Sequence, residues 1–123
     1  PVAALAQELM AERPSLSVKF HSWWNAPKTW AKAQEIDPSG THANWMENFS
    51  WTRLANEAAP DAAKPAPDLA LMRASPPDDV RTILGDGCFG GEYQKPDEIM
   101  LELWRAGVAE TREALEGPWP SRS

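Results

Sequence analysis

Cysteine is nearly absent. Cys88 stands alone in 123 residues, so the chain can form no internal disulfide and holds no Cys-x-x-Cys ligand pair. Basic residues are in deficit as well, with 12 Lys and Arg against 18 Asp and Glu and a formal charge of -6. That balance, with no basic stripe, excludes a nucleic-acid phosphate backbone as the main ligand. Long apolar runs are missing: nothing approaches the roughly 20 residues of a membrane-spanning helix, and no secretory leader is visible. These absences point to a cytoplasmic setting, with neither membrane nor nucleic acid as partner.

Seven Trp and twelve Pro are the surplus. Trp lines cores, subunit interfaces and ligand pockets alike, so its position has to assign its role. A hydrophobic share of 42% with 24% charged residues suits a folded chain better than a disordered one, and the length suits one modest domain.

Val2, Leu5, Ala6, Leu9 and Met10 recur at helical spacing behind Pro1 and predict an amphipathic helix that stops at Pro14. The chain opens straight into this helix, which sets the expectation that preceding sequence is removed or encoded elsewhere. In "SLSVKFHSWW", Val18, Phe20, Trp23 and Trp24 predict a strand. Helix, turn and strand form the second half of a βαβ crossover. The expected fold is therefore α/β, a mostly parallel sheet flanked by helices, with one strand supplied before residue 1.

Residues 25–40 contain Pro27, Pro38 and Gly40 and predict the loop beyond that strand's carboxyl end, with a short helix around Trp30 to Glu35. Loops in that place carry ligands. Ser39 or Thr41 can cap a following helix that runs to about Asn56. "EAAPDAAKPAP" at 57–67 predicts an extended arm, and "DLALMRAS" a short strand or helical turn. "PPDDVRTILGDGCFGGEYQKP" predicts a loop with tight turns at Gly85, Gly87, Gly90 and Gly91. A last helix starts at Pro96, Asp97 and Glu98, carries Met100, Trp104, Val108, Thr111 and Leu115, and stops at Gly117-Pro118.

The residues that can carry chemistry cluster in "SGTHANWMENFSW". In the first turn of its helix, His42 meets unpaired N–H groups that disfavour an imidazolium, leaving a neutral base or ligand; the alternative is a histidine that only hydrogen-bonds at a helix end. Glu47 falls about 140° around that helix from His42. The two then share a cleft only if His42 projects from the helix mouth while Glu47 points inward, where Trp45, Met46 and Phe49 compete for core. A buried carboxylate needs a partner such as a metal ion, whereas the alternative is an exposed Glu on a solvated face. Of Trp23 and Trp24, alternation sends one to each face of a strand, so one lines a pocket or both pack in the core. Cys88 reads as structural. "GDGCFGG" lacks the Lys-Ser/Thr and the helix of a phosphate cradle and reads as a shaped turn.

The order "SWWN", loop, "HANWME" resembles the carboxyl-terminal half of the creatininase (creatinine amidohydrolase) family. In that family a His-Ala/Gly-Gly segment is followed, five residues after the His, by Glu in Glu-Thr-Ser. His42 and Glu47 match these two, while Asn44 replaces the second small residue and Asn48-Phe49 replaces Thr-Ser. Trp24 resembles a strand-end aromatic near the family's substrate pocket, and "GDGCFGGEYQKPDEIMLELWRAGVAETREAL" resembles its Gly-rich turn and final helix. The resemblance covers most of residues 1–123 as the carboxyl-terminal portion of one creatininase-like domain. The family's Glu-x-His, downstream Asp and His-Gly-Gly-Asn are not in this sequence, and the resemblance implies that an amino-terminal half or companion chain supplies them.

What the resemblance implies is a metal-dependent hydrolase of a cyclic or small amide, with two divalent ions, Zn or Mn, per complete site. Glu47 is then a metal ligand, His42 the catalytic base or an orienting group, and Trp24 a pocket wall. Asn44 and Trp45 are substrate contacts. A homo- or hetero-oligomer joined through Trp-rich surfaces is expected. From a different class stands a non-catalytic interaction or structural subunit that keeps the fold's shell.

Overall fold

The structure is a computed structural model that describes residues 2–120. Among these residues five α-helices succeed one another: α1 (Val2–Glu12), α2 (Pro27–Ile36), α3 (Leu69–Ala74), α4 (Pro77–Leu84) and α5 (Asp97–Glu116). Short 3-10 turns lie at Trp23–Asn25 and Trp45–Glu47.

The expected parallel sheet is not there among the described residues. The chain is 51% helix and 2% strand, and the extended pairing among the described residues is an isolated antiparallel bridge between Lys64 and Gly91. A strand is a lateral property, because its N–H and C=O groups need a neighbouring strand. The β-branched and aromatic run at 16–22 has none, and it lies along α5 instead. Lys19 Nζ donates to the carbonyls of Ala114 and, at 2.9 Å, Gly117, a fitting place for a cation at a helix carboxyl end. His21 Nε2 sits 3.0 Å from Thr111 Oγ1. An α/β layered fold is therefore replaced, in the described residues, by helices and ordered loops.

Helices α2 and α5 make the core. Ala33 from α2 and Met100 and Leu103 from α5 are buried together with Trp45, Met46 and Phe49 from the segment between the helices. The α2 amino end is closed from α5. Glu110 accepts from the Lys28 N–H at 2.9 Å, and from the Thr29 N–H and hydroxyl at 2.8 Å each. Pro27 stands at the first helical position, where a missing N–H costs nothing.

Helix α4 lies inside what the sequence predicts as loop. Its start has the marks of a helix: Pro77 at the first position and Asp78 and Asp79 in the first turn. Asp68 caps α3 by accepting from the Ala70 and Leu71 N–H groups, 2.9 Å each. The arm at 57–67 stays irregular and is tied down where Lys64 and Gly91 exchange backbone hydrogen bonds of 2.9 Å. Gly90 permits that crossing, since a Cβ there would lie 2.7 Å from Ala66 Cα. No described helix is long and apolar enough to cross a membrane.

Candidate functional site

The helix expected from residue 41 to about Asn56 does not form. Ala43 adopts φ +53, a left-handed conformation that non-glycine residues rarely take, and the chain folds back on itself before a single 3-10 turn at Trp45–Glu47. Asn44 drives the change. Its side-chain oxygen accepts from the Thr41 N–H at 3.2 Å and the Met46 N–H at 3.1 Å, offering the backbone a local alternative to the helical ladder.

This turn brings together what an ideal helix would keep apart. His42 Nδ1 lies 3.3 Å from Glu47 Oε1, with side-chain exposures of 53% and 50%. A carboxylate only accepts, so in this contact Nδ1 is the donor; in the neutral ring the lone pair then lies on Nε2. Trp24 packs beside the imidazole with ring centroids 5.0 Å apart, and Phe89 meets it edge-on at 5.6 Å. His42, Glu47 and Trp24 thus converge at one surface.

Asn44 and Trp45, expected as substrate contacts, are interior. Asn44 is 2% exposed, and its amide nitrogen donates to the carbonyls of Ser39 at 2.7 Å and Gly90 at 2.8 Å. With two bonds accepted and two donated, it has no polar valence left for a ligand. Trp45 is fully buried in the core. Its indole N–H finds no acceptor among the described residues.

Besides the Asn44–Gly90 bond, the Gly-rich run docks against this segment through three further hydrogen bonds. The Phe89 N–H donates to the His42 carbonyl at 3.1 Å, the Trp45 N–H to the Glu92 carbonyl at 2.9 Å, and the Asn48 amide to the Tyr93 carbonyl at 2.9 Å. Gly91, at φ +86, makes the approach possible: a Cβ there would stand 2.6 Å from Ser39 Oγ. Asp86 organises the run. It pairs with Lys64, accepts from the Tyr93 hydroxyl at 2.5 Å and from the Cys88 N–H at 3.1 Å. These contacts, Lys64 first, lower the Asp86 carboxyl to about 2, and the bond to Asp86 raises the Tyr93 phenol to about 12.

Sequence reasoning missed Phe89, Asp86, Lys64, Tyr93 and Arg53. The signal for the first was present: an aromatic beside paired glycines that must bend is a side chain being aimed. Arg53 Nε donates to Asn48 Oδ1 at 2.7 Å, and an Nη donates to Asp97 at the start of α5 at 2.7 Å. A cavity of about 320 Å³ opens beside the carboxylate, lined by Asn44, Glu47, Asn48, Thr52, Arg53 and Tyr93 among others.

One carboxylate oxygen and one imidazole nitrogen suit a divalent ion such as Zn or Mn. The second oxygen of Glu47 and Nε2 of His42 take no hydrogen bond among the described residues. Groups of three or more His, Cys, Asp or Glu side chains poised to hold an ion do not occur among those residues, so the pair is at most part of a ligand set. Comparison with protein-family models, with curated proteins and with solved structures gave no match.

Proposed function

We propose that this chain contributes part of the active site of a metal-dependent amidohydrolase of the creatininase kind, cleaving a C–N bond of a cyclic or small amide. A companion chain or amino-terminal half supplies the remaining ligands. The observation that carries the reading is the 3.3 Å approach of His42 Nδ1 to Glu47 Oε1, made by the left-handed turn at Ala43, with Trp24 against the ring. These are the residues on which the family resemblance rests. A layered sheet forms no part of the proposal, nor do Asn44 and Trp45.

In this reading Glu47 has two tasks. Oε1 fixes the His42 tautomer, and Oε2 is the atom offered to a divalent ion, one of two in a complete site. The chemistry such an ion supplies when bound is polarisation of a carbonyl and activation of water near neutral pH. His42 Nε2 then accepts a proton at the reacting centre as general base. Trp24 stands against the imidazole, and the cavity beside Glu47, lined by Glu47 but by neither His42 nor Trp24, adjoins the reacting centre.

The test uses Zn²⁺ as the probe. Titrated into the full chain and followed on the His42 ring nitrogens and the Glu47 carboxylate by NMR, Zn²⁺ is expected to perturb both, and Glu47→Gln to weaken the response about 10-fold or more. An identical titration of wild type and variant removes Glu47 as a ligand.

A second reading is favoured by a separate observation. Trp51 and Trp104 pack at 5.0 Å, and Trp51 stacks on Phe49 at 5.1 Å, yet they remain 54% and 45% exposed. An adjoining groove of about 650 Å³ is lined by His21, Trp23, Trp104, Val108 and Leu115 among others. Contiguous aromatic surface of this kind marks an interaction face. A non-catalytic interaction subunit would use this face and leave the His42–Glu47 corner idle, so an unperturbed corner in the Zn²⁺ titration supports it.

A further inference from the structure

Two half-exposed side chains gain little from one another, because solvent screens the contact and ordering both costs rotamer freedom. The His42–Glu47 contact is of that kind, so something else holds the ring in register. Trp24 stands against the imidazole with ring centroids 5.0 Å apart, and Phe89 meets it edge-on at 5.6 Å with an interplanar angle of 64°. Phe89 also grips the same residue through the backbone, its N–H donating to the His42 carbonyl at 3.1 Å.

We propose that Phe89 is a positioning residue for His42: by holding both the backbone and the ring of His42, it fixes Nδ1 on Glu47 and leaves Nε2 facing outward. The role assigned to Nε2 rests on the reading of His42 as a base; the positioning itself does not.

Phe89 is suited to the task because it is itself fixed. Cys88 before it is 1% exposed and is held by its N–H on Asp86. Gly90 after it has φ +103 and fits against Ala66 with no space for a Cβ. Lys64 and Tyr93 lock Asp86 from two directions. The loop therefore presents Phe89 from a braced frame, and the braced aromatic restrains the exposed histidine. Removing the ring frees χ1 and χ2 of His42 to leave Glu47.

The experiment reads the tautomer directly. Ring-nitrogen NMR spectra of the full chain are recorded at about pH 9, where imidazole is neutral, without added metal, using His21→Gln to leave one histidine signal. The expected wild-type state is hydrogen on Nδ1 with Nε2 bare. Phe89→Ala should lower the Nδ1–H population at least 2-fold in favour of Nε2–H, which a free side chain prefers, and Phe89→Tyr should restore it.

Amide fingerprints check that each variant is folded. If Phe89→Ala unfolds, Phe89→Leu, which refills the space without an aromatic edge, decides by the same criterion. A wild-type ring mainly in the Nε2–H form, or a folded variant with an unchanged population, overturns the proposal. Zn²⁺ titration of the same samples separates the two readings: a tautomer that depends on Phe89 with no metal response upholds the positioning and removes Glu47 as a metal ligand.

Discussion

His42 Nδ1 and Glu47 Oε1 stand 3.3 Å apart because the residue between His42 and Asn44 is left-handed. On a regular helix the two side chains would diverge by about 140°. The turn at Ala43 is the cause of the site's geometry, and it carries strain, since a non-glycine residue in that region costs about 1–2 kcal/mol. Ala43→Gly relieves the strain against a comparable loss of chain entropy. It is expected to leave stability within about 1 kcal/mol of wild type and to keep the His42–Glu47 contact. Ala43→Val, β-branched, should lose more than about 1 kcal/mol. Urea unfolding of the three proteins measures the order.

Glu110 joins the two core helices, and its chemistry makes the joint acid-sensitive. Burial pushes its carboxyl up, but the Lys28 and Thr29 N–H groups and the Thr29 hydroxyl outweigh burial and hold it below its ordinary 4.5. A lowered folded-state value means the contribution is present above the unfolded value and is lost as pH falls from 4.5 through the folded one. Thermal unfolding as a function of pH should show this loss in wild type and a flatter acid limb in Glu110→Gln. Glu110→Ala, which leaves Thr29 and the α2 amino end unpaired, should cost about 2–3 kcal/mol.

Tyr93 is the chain's one tyrosine, which makes the Asp86 frame measurable by ultraviolet titration. Its phenol is raised from 10.0 to about 12, chiefly by the bond to Asp86. The stabilisation is complete below 10.0 and disappears as pH rises through about 12. Asp86→Asn removes the charged acceptor, and the midpoint should fall toward the ordinary value. A wild-type midpoint already at 10.0 would show that the Tyr93–Asp86 bond does not form.

The two ends of the chain's secondary structure were legible and the middle was not, for identifiable reasons. Helices α1 and α5 announce themselves by apolar spacing and punctuation, Pro96-Asp97-Glu98 opening α5 and Gly117 closing it. Helix α2 was partly visible, as Trp30 to Glu35 within Pro27–Ile36. The 16–24 run misled because β propensity describes a residue's fit to a sheet and says nothing of whether a partner strand exists. Thr41 to Asn56 misled because capping residues also start turns; Asn44 spent its side chain on a turn that local spacing does not reveal.

The candidate site was legible as residue types and illegible as geometry. His42, Glu47 and Trp24 come together by a route other than the expected one. Asn44 and Trp45, adjacent to them in sequence, turn inward because the 3-10 turn at Trp45–Glu47 aims them at the core. Phe89 and Asp86 lie about forty residues downstream, and they are delivered by long-range pairings such as Lys64 with Gly91, the Phe89 N–H with the His42 carbonyl, and the fit of Gly91 against Ser39.

Anomalous diffraction at the zinc edge, from crystals of the full chain grown with Zn²⁺, tests the metal-site reading most directly. A peak is expected within about 2.0–2.6 Å of a Glu47 carboxylate oxygen, with His42 Nδ1 still directed at Glu47. Zinc bound elsewhere on the chain with the Glu47 carboxylate unoccupied would contradict it.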